Sequence, residues 1–112
     1  MSREERERLH DILEAIDAVR DHAAVSDNSP PQLVRDAILY RLVIIGEAAK
    51  FLPEEVRVRQ PQINWRGIAG LRDLLTHEYF RIERERIDEI VDKHLDPLAR
   101  AVAEILGELV EE

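Results

Sequence analysis

The sequence lacks several features that define other classes of protein. No cysteine occurs among its 112 residues, which excludes disulfide bonds, a thiol nucleophile and cysteine-ligated metal ions. The longest purely aliphatic run, Leu42-Val43-Ile44-Ile45, is far shorter than the roughly 20 residues that a membrane span requires, so no membrane association is expected. The first eight residues contain no apolar stretch typical of a signal peptide. The cytoplasm is therefore the expected location.

What the chain does contain indicates a small globular protein. Hydrophobic residues make up 45% and charged residues 36%, a balance that excludes a disordered chain. No repeat or linker divides the sequence, which predicts a single domain over residues 1–112. A chain of this length buries only about two-thirds of its unfolded surface, so it depends on very regular helix packing or on oligomerisation.

The charge is unevenly distributed. The net charge of −8 argues against a general nucleic-acid coat protein, because phosphate binding requires Lys and Arg. Residues 57 to 86, however, hold seven arginines against four acids, a net of +3, and the rest of the chain carries nine basic and twenty acidic residues, a net of −11. This segment is compatible with a focused anionic ligand, and equally with chance unevenness on solvated helix faces.

The apolar residues follow helical spacing almost throughout, and no segment alternates with period two. Ser2 and Glu5 predict a capping box for a first helix, and Pro53 ends a second helix. Asn64 is predicted to cap a third helix that begins at Trp65. At Asp96-Pro97 a last helix is predicted to restart or to kink. The fold expected is an all-α, four- to five-helix up-and-down bundle.

One stretch of the second helix suggests a homodimer. Between Ala37 and Ile45 every residue except Arg41 is apolar or aromatic. A helix that is apolar all round lies inside a core or between subunits. Since so small a bundle has little interior, part of this face is expected to form a subunit interface.

Two further patterns carry weaker signals. The four histidines show no metal-ligand spacing, and neither a metal nor a cofactor is expected. The Gly67-Ile68-Ala69-Gly70 segment matches the GxxG string of RNA-binding KH loops, but it lies in a helical pattern without strands. We interpret its small residues as permitting a close helix approach.

The most informative stretch runs from Arg72 to Tyr79. On an ideal helix Arg72, Thr76 and Tyr79 share a face, whereas His77 lies about 140° from Arg72. Arg72 and His77 can therefore meet only if the helix opens near Thr76 or if two chains build the site. A purely structural alternative makes Arg72 an ion-pair partner, His77 a charge at a helix C-terminus and Tyr79 a phenol at the core edge.

These residues resemble a known family. The Arg72-x4-His77-x-Tyr79 spacing is similar to the signature of the HepT-like toxins, a branch of the HEPN (higher eukaryotes and prokaryotes nucleotide-binding) domains. The resemblance extends over essentially the whole chain and includes Gly46-Glu47-Ala48, Pro61-x3-Trp65 and His77-Glu78-Tyr79-Phe80. One departure is Asp73, where many relatives carry Asn. An aspartate adds negative charge beside Arg72 and is expected to weaken phosphate affinity.

The resemblance implies a homodimeric, metal-independent RNase toxin with a nucleotidyltransferase antitoxin as partner. It assigns catalysis to Arg72 and His77, with Asp73 and Thr76 in support. Tyr79 would be the residue to which the antitoxin attaches AMP. The substrate would be RNA, with tRNA among the candidates.

Two other functions are compatible with the sequence. The chain could be a non-catalytic HEPN subunit that docks a nucleotidyltransferase and presents substrate to it, or a structural helical dimer without a ligand. The net charge favours the first of these slightly, whereas the intact Arg72, His77 and Tyr79 favour the RNase.

Overall fold

The computed structural model describes residues 1–24, 28–77 and 84–111, and within these ranges the chain is helical without any strand. This confirms the predicted all-α class. The helices are α1 (Arg3–Ala24), α2 (Pro31–Lys50), α3 (Glu54–Arg57), α4 (Trp65–Ala69), α5 (Leu71–His77), α6 (Arg84–Glu89) and α7 (Leu95–Glu111). A π-helical segment, Ile90–His94, joins α6 to α7. Helix α1 packs on α2 and α7, and α2 also packs on α4 and α5.

The start of α1 is the predicted capping box. The backbone N–H of Glu5 donates to Ser2 Oγ at 3.1 Å, and the backbone N–H of Ser2 donates to Glu5 Oε2 at 3.0 Å. The reciprocal bonds satisfy two of the donors that a helix N-terminus leaves without partners. The core face of α1 follows the predicted spacing and consists of Leu9, Ile12, Ala15, Ile16 and Val19.

Helix α2 has a buried side and an uncovered side. Its buried side consists of Leu39, Leu42, Ile45, Gly46, Ala48 and Ala49. On the uncovered side Tyr40 is 63% exposed and Leu33 60% exposed. The apolar stretch between Ala37 and Ile45 is therefore not fully buried within one chain. The subunit interface stays a prediction.

The loop before α4 is held in place by two buried polar groups. Trp65 Nε1–H donates to the carbonyl oxygen of Gln60 at 3.0 Å, and Gln60 Nε2 donates to Glu104 Oε2 on α7 at 2.9 Å. Gln60 is only 5% exposed, and these bonds satisfy polar groups that would otherwise be costly to bury. They fix the position from which α4 begins.

The predicted cap of α4 is confirmed, and Gly67 leaves room for it. Asn64 Oδ1 accepts a hydrogen bond from the backbone N–H of Gly67 at 3.1 Å. A Cβ atom at Gly67 would lie 2.5 Å from Asn64 Nδ2. This glycine therefore makes room for the capping side chain of its own helix. The backbone of the same segment also approaches α2, since the carbonyl oxygen of Ile68 would lie 3.0 Å from a Cβ atom at Gly46.

A restart of the last helix at Asp96, one of the two predicted alternatives, is wrong, whereas a kink there stays a prediction. The chain is helical from Arg84 onward, and Asp96 lies inside α7, where it accepts a hydrogen bond from Arg20 of α1. The π-helical segment explains the difference. In a regular α-helix the separation of eight positions between Ile87 and Leu95 would turn these two side chains about 80° apart. A wider π-helical turn reduces that rotation, so both residues face the core. Each of them is only 3% exposed.

Candidate active site

The candidate site is built on α5, where it packs against α2. A Cβ atom at Gly46 of α2 would lie 2.8 Å from the backbone nitrogen of Arg72 and 3.0 Å from the carbonyl oxygen of Ile68. Both distances are shorter than ordinary contacts of a side chain. Only glycine therefore allows this approach of the two backbones, and the close packing determines where Arg72 lies.

The next residue of α2 contacts the Arg72 side chain. Glu47 Oε2 lies 3.0 Å from Arg72 Nε, and the two side chains are 39% and 46% exposed. The Oε2 atom itself is shielded from solvent, and among the described residues no donor is aligned with it for a hydrogen bond. We regard the contact as an ion pair, in which the charge of Glu47 holds the guanidinium. The Nε–H bond of Arg72 does not point at Glu47 Oε2.

The two residues predicted to support catalysis both lie beside Arg72. Asp73 Oδ1 is 3.5 Å from Arg72 Nη1, and the aspartate side chain is 61% exposed. Thr76 Oγ1 donates to the carbonyl oxygen of Arg72 at 2.7 Å, which satisfies its hydroxyl within the helix. Asp73 thus contacts the guanidinium, whereas Thr76 contacts only the backbone that carries it.

His77 is the last residue of α5 and is exposed to solvent. The helix is continuous from Leu71 to His77, so it does not open near Thr76 within the described residues. The separation of five positions between Arg72 and His77 corresponds to about 140° of rotation. A single chain therefore presents these two side chains in different directions. Tyr79 lies outside the described residues.

The surroundings show what else the site contains. Across the described part of the chain, no group of three His, Asp or Glu side chains could hold a metal ion. A pocket of about 360 Å³ is lined by residues of α2, α4, α5 and the segment from α6 to α7. Most of its lining side chains are apolar, including Leu71, Leu74 and Ile90. Neither Arg72 nor His77 lines it, so the predicted catalytic groups belong to the surface.

In the ranges that the structure covers, every helix is too short or too polar to cross a bilayer.

Comparison with known proteins identifies the family. The family model described as "Ribonuclease HepT-like" matches residues 8–105. A protein of Caldanaerobacter subterraneus subsp. tengcongensis, named as a putative RNase, is 44% identical over 78 residues, which cover 65% of this chain and 70% of the relative. A Methanocaldococcus jannaschii protein, also named as a putative RNase, is 35% identical over 106 residues, which cover 90% of this chain and 86% of that relative. This chain belongs to the HepT-like ribonuclease family.

A longer relative shows that the domain also occurs within larger proteins. Another Methanocaldococcus jannaschii protein, named gamma-glutamylcyclotransferase and putative RNase, is 33% identical over 104 residues. The alignment covers 90% of this chain but 47% of that protein, so the chain spans about half the length of this relative. No solved structure matches the chain at the level of significance of these relatives.

Sequence reasoning missed one residue of the site. In the sequence, Glu47 was only one residue of the Gly46-Glu47-Ala48 segment that resembles the family, and no role was predicted for it. Its neighbour Gly46 was an available signal, because a glycine inside an otherwise regular helix often marks a close approach of another backbone. The partner, Arg72, is 25 positions away and could not be identified from spacing.

Proposed function

We propose that this chain is a metal-independent endoribonuclease toxin that acts as a homodimer, with Arg72 and His77 as its catalytic residues. The observation that carries the proposal is the exposed pair of Arg72 and His77 on α5 in a chain of a ribonuclease family, with Arg72 fixed against α2. Because one chain directs the two side chains about 140° apart, a cleft shared by two chains supplies both groups to one phosphate.

The chemistry requires no metal ion. The 2′-hydroxyl of the substrate attacks the adjacent phosphorus and loses its proton to one His77, which acts as general base. The bond from phosphorus to the 5′-oxygen breaks, and that oxygen takes a proton from the protonated His77 of the second chain. The products are a 2′,3′-cyclic phosphate and a 5′-hydroxyl. Imidazole exchanges protons near neutral pH, and Arg72 stabilises the charge that develops on the phosphate oxygens.

Incubation of the purified protein with total RNA in EDTA tests this function. We expect cleavage that leaves 2′,3′-cyclic phosphate ends, and a loss of about two orders of magnitude or more in rate for Arg72→Ala and for His77→Ala. Arg66→Ala and His10→Ala, which change exposed residues of the same types outside the site, serve as controls. Cleavage that stops in EDTA and returns with magnesium would contradict the metal-free mechanism.

The same proposal includes control by a nucleotidyltransferase antitoxin. The antitoxin transfers AMP from ATP to the Tyr79 oxygen and releases pyrophosphate. The added phosphate then competes with RNA for Arg72. Tyr79→Phe is expected to keep most of the cleavage and to resist neutralisation, whereas Tyr40→Phe changes the other tyrosine and remains sensitive. An unshifted Tyr79 peptide in mass spectra of a neutralised complex would refute the modification.

The charge around Arg72 favours one alternative. Glu47 and Asp73 both lie within 3.5 Å of its guanidinium, and the whole chain carries a net charge of −8. These carboxylates suit a non-catalytic subunit that docks a nucleotidyltransferase and presents substrate to it. In that case the purified protein leaves RNA intact, and the rate of the transferase rises when this chain is added.

A further inference from the structure

We infer that Glu47 is a positioning residue that holds the Arg72 guanidinium in the orientation needed to receive a phosphate. This inference rests on the proposed ribonuclease function. It adds a residue of α2 to a site that otherwise consists of residues of α5. Glu47 acts through Arg72 and does not itself touch the RNA.

The geometry of the contact supports this role. Glu47 Oε2 lies 3.0 Å from Arg72 Nε, at the base of the guanidinium group. The contact leaves the outer edge, formed by the two Nη atoms, to Asp73 Oδ1, which lies 3.5 Å from Nη1, and to a ligand that displaces this carboxylate. Two phosphate oxygens can bind that edge in a bidentate manner. The Arg72 side chain is 46% exposed, so a ligand can reach it from solvent.

The packing of α2 explains why Glu47 reaches this position. Gly46 brings the α2 backbone so close to α5 that a Cβ atom there would lie 3.1 Å from Leu71 Cβ. The residue after Gly46 is therefore placed directly beside the residue after Leu71. Because Glu47 and Arg72 are at neighbouring positions on two closely packed backbones, their side chains meet over a short distance. The ion pair therefore costs less side-chain entropy than one between distant positions.

The environment of the carboxylate distinguishes this pair from an ordinary surface contact. The Oε2 atom of Glu47 is shielded from solvent, although the side chain as a whole is 39% exposed. A shielded carboxylate oxygen without a hydrogen bond is costly unless a cation compensates its charge. Arg72 supplies that cation, so the carboxylate draws the guanidinium towards α2 and restricts its rotamers.

The test compares Glu47→Gln with Glu47→Ala in RNA cleavage. Gln keeps the size of the side chain and removes its charge. Ala removes the charge and also the part of the side chain that extends to Arg72. We expect kcat to fall about ten- to a hundredfold in Glu47→Ala, with a smaller change in KM and an intermediate value for Glu47→Gln, because a misplaced group costs rate at the reacting centre. Glu14→Gln and Glu14→Ala, at an exposed position of α1, are the matched controls.

A second measurement does not depend on activity. The Nε–H resonance of Arg72, assigned by its disappearance in Arg72→Lys, is expected to show a high heteronuclear NOE in the wild type and a lower one in both Glu47 variants, because the ion pair restricts the rotamers of the side chain. Unchanged kcat in Glu47→Ala, or an increased affinity of Glu47→Gln for RNA, would overturn the inference. If the wild type does not cleave RNA, the proposed function fails. The Arg72 resonance then still decides whether Glu47 holds the side chain.

Discussion

At the scale of single residues, two glycines in helices have opposite surroundings. Gly46 faces backbone atoms of α4 and α5, whereas nothing lies within 4 Å of a Cβ atom built at Gly107 of α7. Glycine inside a helix normally costs about 1 kcal/mol relative to alanine. The cost is accepted at Gly46 because a larger residue would displace Arg72.

This contrast predicts opposite effects for the same substitution. Gly46→Ala is expected to lower the free energy of unfolding by about 1–3 kcal/mol, since the new methyl group overpacks the contact with Arg72 and Ile68. Gly107→Ala is expected to raise it by up to about 1 kcal/mol through helix propensity alone. Urea denaturation followed by circular dichroism measures both. A stabilised Gly46→Ala protein would show that the two backbones do not approach each other in this way.

At the scale of elements, the π-helical segment sets the register of the last helix. Ile87 precedes it and Leu95 follows it, and both are buried although their spacing does not suit a regular α-helix. Pro97, three residues beyond the segment, lacks the N–H that a regular helix would use. A wider turn just before it therefore sacrifices little hydrogen bonding.

Deletion of a single exposed residue tests this register. Without Asp92, seven positions separate Ile87 from Leu95, which is about 20° short of two regular turns, so both still face the core. We expect this variant to unfold cooperatively at a temperature close to that of the wild type. Deletion of Arg100, exposed within the regular part of α7, rotates Val102 and Ile105 by about 100° and is expected to abolish cooperative unfolding. Equal melting curves for the two deletions would contradict the role of the π-helical segment.

At the scale of the whole molecule, the uncovered side of α2 is the surface that a second chain would cover. Tyr40 and Leu33 are large apolar side chains with more than half of their surface in solvent. In the proposed homodimer, a 112-residue bundle would gain the burial it lacks by pairing this face with its symmetry mate. The proposed reaction also needs two chains, because one chain separates Arg72 from His77.

Light scattering tests the assembly. The wild type is expected at about 26 kDa, twice the 13.0 kDa of one chain. Tyr40→Glu places like charges across a two-fold interface and is expected to give monomers that no longer cleave RNA. Val58→Glu alters another exposed apolar residue, after α3, and is expected to stay dimeric and active. A wild-type monomer at micromolar concentration, or an active Tyr40→Glu monomer, would contradict the shared cleft.

The sequence by itself determined the local features of this protein. Helix starts depend on a few neighbouring residues, so the capping box of Ser2 and Glu5 and the cap at Asn64 were predictable from spacing. The all-α class follows from the period of the apolar residues. The resemblance that includes Arg72 and His77 indicated the family to which the chain belongs.

Only the tertiary structure decided the features that join distant segments. Periodicity says which face of a helix is apolar, but not which residue of another helix lies against it. The approach of Gly46 to Arg72, the ion pair of Glu47 and the π-helical turn before Leu95 all arise from how whole helices fit together. Packing of this kind depends on volumes and backbone distances summed over many contacts, which no short pattern encodes.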